Sequence, residues 1–142
     1  MREILFRAKR IDNGEWVEGN LITNERNERK KYIGYVFDER NGMIEDFDIV
    51  EVIPNTICQY TGLKDKNEEK VFIGDIIRCT KGCPHEVIWM KEYAGTFIGG
   101  MPAVYLSGLD KGYAWTGEEE IVGNIFDNPE RLKGGGSNEK TN

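Results

Sequence analysis

No apolar run in this chain approaches the roughly 18 residues that a membrane-spanning helix needs, which excludes a helical membrane protein. Met1 leads straight into REILFRAKR, without the apolar stretch and small-residue cleavage site of a secretory signal. A cytoplasmic setting is therefore expected. Cysteine is scarce and odd in number, three in 142 residues. That argues against a disulfide framework and for free thiols in a reducing compartment. Excess positive charge is missing as well: 19 Lys and Arg stand against 25 Asp and Glu, a net charge of −6. A general phosphate-binding surface needs the opposite balance. A charge of −6 is also too weak for a protein that imitates a DNA backbone with its own carboxylates. No repeat of about 20–50 residues is visible. No segment carries a catalytic signature.

What is present is enough chain for one ordinary domain. At this length roughly 68–70% of the unfolded surface can be buried, so no staple is needed. Hydrophobic residues at 39% and charged residues at 31% read as a soluble globular protein.

Strand patterns run through most of the chain. From Glu3 to Arg10, Ile4, Phe6 and Ala8 alternate with Leu5, Arg7 and Lys9, the period of two of a half-buried strand. Asp12-Asn13-Gly14 follows as a hairpin turn, because Asn and Gly accept positive φ at low cost. Trp16 opens a return strand towards Ile22. Thr23 to Lys31 is a polar, charged loop, Tyr32 to Phe37 a third strand, and Asn41-Gly42 another turn. Asp48 to Ile53 is a fourth strand, ended by Pro54, which donates no ladder hydrogen bond.

The second half reads in the same style. Thr56 to Tyr60 is a short strand and Asp65-Lys66-Asn67 a tight turn. Val71 to Ile73 leads through Gly74-Asp75 into Ile76, Ile77 and Arg78. Further strands are expected at Glu86 to Met90, Thr96 to Ile98, Ala103 to Ser107 and Glu120 to Ile125. Only Asn128-Pro129-Glu130-Arg131-Leu132 reads as helical, with Asn as N-cap and Pro at the first helical position. Seventeen glycines fit the density of turns. The end, GGGSNEKTN, has linker composition and is expected to be mobile. The domain expectation is one β-rich unit over residues 1–133, with N-terminal strands over 1–54 and a second part over 55–133, then a flexible tail over 134–142.

Three segments stand out for order and spacing: REILFRAK at the start, QYTGLKD followed by VFIGDIIR in the middle, and EIVGNIFDNPERL at the close. In these the chain resembles the YopX family of small phage and prophage proteins, over roughly residues 2–133. The resemblance implies a mainly β fold of small antiparallel sheets, with a C-terminal part like an SH3-type barrel and one short helix. It also implies a phage or prophage origin, hence the cytoplasm of a bacterial host cell, and it brings no assigned activity. The chain departs from the family pattern at Asn67-Glu68-Glu69, where an Asn-Gly turn is expected.

The central motif has a physical reading of its own. Gly74 is expected where a strand begins and the backbone needs positive φ or close approach. Asp75 can accept a hydrogen bond from nearby turn amides. Ile76 and Ile77 drive the strand inside. Gly62 is expected to end the preceding strand, with Tyr60 over the first turn. The functional alternative makes Gln59, Tyr60 and Thr61 a recognition patch. Turn residues punctuate small β folds for backbone reasons, so the structural reading leads.

The metal candidates are Cys79, Cys83 and His85, with Cys58 as a distant fourth. The C-x3-C spacing suits zinc, but a second closely spaced ligand pair is missing. The expectation is a buried Cys79 on a strand, Cys83-Pro84-His85 in a loop, and no metal or other cofactor. A Cys83–His85 nucleophilic pair lacks a third orienting group, and neighbours at i and i+2 rarely align for proton transfer. Asp38, Glu39, Glu45, Asp46 and Asp48 read as a solvated acidic turn. Arg26, Arg29, Lys30 and Lys31 beside Tyr32 could track a nucleic-acid backbone, but Glu25 and Glu28 dilute them. Trp16, Trp89 and Trp115 read as core or sheet-lining residues rather than base platforms. The leading expectation is a non-enzymatic interaction module whose partner is a host or phage protein, with self-association open and no membrane partner. A nucleic-acid accessory protein is the second reading and a small enzyme with an unrecognised site the third.

Overall fold

A computed structural model describes residues 3–90, 103–107 and 115–133. Over these the chain is mainly β, in antiparallel sheets, with one short helix. It divides into two compact units, Met1–Tyr60 and Thr61–Asn142. The expected strand at Thr96 to Ile98 and the expected mobile tail lie outside the described residues.

The first unit holds β1 (Phe6–Lys9), β2 (Trp16–Thr23), β3 (Lys31–Arg40), β4 (Met43–Val52) and the start of β5 (Cys58–Lys64). The order is β4-β3-β2-β1-β5. Both expected turns form. Gly14 takes φ 75°, and the Asn13 side chain accepts the Glu15 N–H at 2.9 Å. Asn41 and Gly42 take φ 56° and 80°, the paired left-handed residues of a tight two-residue hairpin. That turn leaves no slack, so Arg40 pairs directly with Met43 and β4 starts well before the expected Asp48. Ala8, Ile33, Val50 and Val52 form the core, covered by Phe6, Val17, Leu21 and Ile57. Gly19 lies so close to the Gly34 carbonyl that a Cβ there would clash with backbone.

The second unit holds the rest of β5, β6 (Lys70–Phe72), β7 (Asp75–Arg78), β8 (Pro84–Met90), β9 (Ala103–Leu106), β10 (Glu120–Asn124) and α1 (Glu130–Lys133). Four of them form a sheet in the order β10-β7-β8-β9. Closing it into a barrel needs a ladder between the edge strands β10 and β9, and none is found among the described residues. The core is Val71, Ile77, Cys79 and Val87, flanked by Ile73, Leu106, Trp115 and Ile121.

The division falls inside β5 rather than at Pro54. Cys58 and Gln59 pair with β1, whereas Thr61 Oγ1 donates to the Val71 carbonyl at 2.7 Å. Gly62 corrects a second expectation. It does not end a strand: β5 runs on to Lys64, and Gly62 bends it with φ 90°.

Gly74 and Asp75 behave as read. Gly74 has φ 97°, donates to the Val87 carbonyl at 2.8 Å and accepts from Ile125 N–H at 2.9 Å. Buried Asp75 accepts the Phe72 N–H at 2.8 Å and so locks the turn between β6 and β7.

Candidate functional site

Three donor side chains converge at the hairpin that joins β7 to β8. The Cys79 N–H donates to the Cys83 carbonyl at 3.0 Å and the Gly82 N–H to the Cys79 carbonyl at 2.8 Å, with Gly82 at φ 91°. This tight loop sets Cys79 across from Cys83. His85 follows two residues later, and the period of two returns its side chain to the same face. The Sγ atoms of Cys79 and Cys83 are 3.1 Å apart, and Cys83 Sγ is 3.0 Å from His85 Nε2. All three donor atoms lie within 4.8 Å of one another. Cys79 and His85 are buried and Cys83 is half-buried.

The neighbourhood orients these groups. His85 Nδ1 is 2.7 Å from the Ser107 carbonyl, which can only accept, so Nδ1 carries a proton. The Ser107 hydroxyl in turn accepts the Glu86 N–H at 2.9 Å. Burial works against ionising Cys79. The Cys83 thiol, the N–H groups of Lys81 and Cys83, and His85 outweigh it and bring Cys79 down to about 7. Cys83 moves the other way, held up by its hydrogen bond with Cys79, by burial and by the Cys79 charge. Both thiols and the imidazole thus form one interacting group. Cys58 stands apart in the first unit, its thiol donating to the Thr56 carbonyl at 3.2 Å.

A second feature lies on the β3–β4 hairpin of the first unit. Val36, Phe37, Met43, Ile44, Phe47 and Ile49 are each 49–70% exposed, and among the described residues only Ile4, Ile11 and Leu63 are other exposed large apolar side chains. The register pairs Gly34 with Ile49 and Val36 with Phe47, so Val36, Phe47 and Ile49 share one face, while Phe37 lies on the other with its ring 6.0 Å from that of Tyr35. Ile22, Ile44 and Asn20 complete a shallow apolar depression of about 250 Å³ over Gly34. Within this unit β4 pairs along its length with β3, and its C-terminal end is also met by the chain after β1, through the Arg10–Val52 bridge and the Ile11 N–H to the Glu51 carbonyl at 3.0 Å; residues 43–49 have no second strand beside them among the described residues. Asp38, Glu39, Glu45, Asp46 and Asp48 rim the outer half of the arm, with Arg40 beside them and Lys31 at the far end of β3.

The other sequence candidates resolve into structure. Tyr60 and Thr61 are buried at 4% and 7% exposure, and Gln59 is half-buried in the ladder with β1, so this trio presents no recognition patch. Arg26, Arg29 and Lys30 are exposed, but the loop is built from two turns in which Asn24 and Asn27 side chains accept the Arg26 and Arg29 N–H groups. Trp16 lies under Arg7 and Lys9, at 4.8 and 5.4 Å, and Trp115 donates to the Lys64 carbonyl at 3.0 Å. The Trp89 side chain lies outside the described residues.

Two buried carboxylates escaped the sequence reading. Asp65 accepts N–H groups from Asn67 and Glu69 at 2.9 Å each and from Ile121 at 3.0 Å. Glu119, fully buried, accepts from Thr116 at 3.0 Å and Gly117 at 2.8 Å. The Asp65 turn was legible, but the reach of its side chain to β10 was not.

No helix among the described residues is long and apolar enough to cross a membrane. No curated protein matches the chain. Protein EF1440 from Enterococcus faecalis, known from its crystal structure, is similar in fold, with a TM-score of 0.57 and 23% identity over 93% of this chain and 99% of that one. The segments REILFRAK, QYTGLKD, VFIGDIIR and EIVGNIFDNPERL fall almost wholly within residues 5–133, the stretch that matches the YopX protein family, and the chain belongs to that family.

Proposed function

We propose that this protein is a phage or prophage accessory protein and a non-enzymatic interaction module that takes its partner on the β3–β4 arm. One observation carries the reading: exposed large apolar side chains are concentrated on one hairpin whose outer strand has no second neighbour over residues 43–49 among the described residues. Soluble proteins guard such edges, because an open edge invites another strand. Here the apolar face and the edge coincide, which suits an extended segment added to β4 with its side chains in the depression over Gly34. The acidic rim selects the partner's chemistry. A second copy would set carboxylates against carboxylates, so the favoured occupant is a different protein offering alternating apolar and basic residues. In this reading residues 55–133 have the SH3-type layout that the resemblance implies, supported by the antiparallel order β10-β7-β8-β9, and serve as scaffold.

The test uses the full chain and its Phe47→Ser variant as baits in induced host cells. Peptides from the captured protein are then titrated into labelled chain. Support requires one captured protein that is lost with Phe47→Ser and an apolar-basic peptide from it that shifts the amide resonances of β4. Capture that survives the substitution, or self-association through β4 in its place, overturns the reading.

A further inference from the structure

We infer that Cys79, Cys83 and His85 form a zinc site with three protein ligands and a fourth position taken by water or an external ligand. Two sulfurs and an imidazole nitrogen are donors that zinc prefers, and three ligands with one open position is an established zinc arrangement. With Zn–S near 2.3 Å and Zn–N near 2.0–2.1 Å, tetrahedral edges come to roughly 3.5–3.8 Å. The two edges at 3.1 and 3.0 Å would have to open by under about 1 Å, a change that side-chain torsions on a hairpin loop can supply.

The surroundings are those of a metal centre. The bond from Nδ1 to the Ser107 carbonyl fixes the tautomer that leaves the Nε2 lone pair facing Cys83. Each thiol that ligates gives up its proton to solvent. Two thiolates then neutralise the dication, so the half-buried site holds no net charge. The chain has one histidine and three cysteines, and the third cysteine, Cys58, lies in the other unit. The fourth ligand is thus neither histidine nor a thiolate of this chain's second unit. The site is independent of the β3–β4 arm and does not rest on its function.

The experiment takes full-length protein, reduced and stripped of metal, and titrates it with Zn²⁺ against a chromogenic chelator and separately with Co²⁺. The expected result is one equivalent bound, with thiolate-to-cobalt charge-transfer absorption and the visible bands of a tetrahedral ion. Cys83→Ser should weaken zinc binding by more than about 100-fold, beyond what a change in the outer shell brings. Cys58→Ser should leave binding unchanged. Should Cys83→Ser fail to fold, the wild-type cobalt spectrum decides alone, since thiolate bands appear only if sulfur ligates. Reduced protein that takes up no zinc and closes a Cys79–Cys83 disulfide in air overturns the inference. So does zinc binding that shows no thiolate band, or that Cys58→Ser weakens as much as Cys83→Ser.

Discussion

The two units of this chain are stabilised by different means. In Met1–Tyr60 the buried set is apolar apart from Thr56 and glycine, and the hairpin turns at Asn13-Gly14 and Asn41-Gly42 are set by residues in left-handed conformations. In Thr61–Asn142 the buried set includes Asp65, Asp75, His85 and Glu119, and buried carboxylates hold the turns by accepting backbone N–H groups. The contrast shows two routes to a small β unit. A ladder with favourable turns needs little else, whereas short strands such as β6 and β7, of three and four residues, need side chains that act as extra rungs. It also separates the chemistry: the exposed apolar arm belongs to the first unit and the thiol–imidazole cluster to the second.

The largest expected effect tests the polar route. Asp65→Ala leaves three N–H groups without their acceptor, and should destabilise the second unit by about 3 kcal/mol in urea unfolding. Amide exchange should accelerate in β10 and at Asn67 and Glu69 while β1 to β3 hold. Uniform loosening of both units would break the contrast. The pH dependence follows from the same group. Burial works against the Asp65 charge, but the N–H groups of Ile121, Glu69 and Asn67 outweigh it and hold the carboxyl below its usual value. A carboxylate held low contributes its stability in full above its unfolded value and loses it as pH falls through the folded one. Acid should therefore loosen the second unit first, below about pH 4. The first unit's counterpart, Asp12, is lowered by its hydrogen bond to Arg10 at an exposed surface, where salt screens the pair. Added salt should leave the order of acid unfolding unchanged.

Next in size is Gly74→Val. It places a β-branched residue at φ 97° and should cost about 2 kcal/mol by thermal or urea unfolding. A variant as stable as the parent would show that the motif is there for binding instead.

Glu68→Gly should act in the opposite direction. Glu68 sits at φ 64° in the turn between β5 and β6, a left-handed conformation that glycine adopts at little cost. Relieving it should raise stability by about 1 kcal/mol, measurable as a higher unfolding midpoint. No gain would mean that the second unit's hydrogen-bonded turns tolerate the strain.

The smallest expected effect is that of Phe47→Ser. Its side chain is 59% exposed, so unfolding should shift by less than about 0.5 kcal/mol while partner capture is lost. A large loss of stability would place Phe47 in the first unit's core and remove the basis for the arm as a docking surface.

The sequence alone determined the β class, because alternation such as Phe6-Arg7-Ala8-Lys9 permits only one periodicity. It determined the turns at Asn13-Gly14 and Asn41-Gly42 and the conformation at Gly74-Asp75, because few residues accept positive φ or reach back to a turn amide. Tertiary structure decided the rest. Alternation says which side chains share a face, not whether that face is covered. Phe37 and Phe47 are left exposed by the sheet, whereas Tyr60 and Thr61, the alternative reading's recognition patch, are buried by it. Spacing likewise says which ligands are near in sequence, not which are near in space. Cys79-x3-Cys83-x-His85 lacked a second ligand pair as a string. Read as a hairpin loop followed by a strand, it sets three donors on one side, and the Ser107 carbonyl that orients the histidine arrives from β9 by sheet pairing that no local pattern encodes.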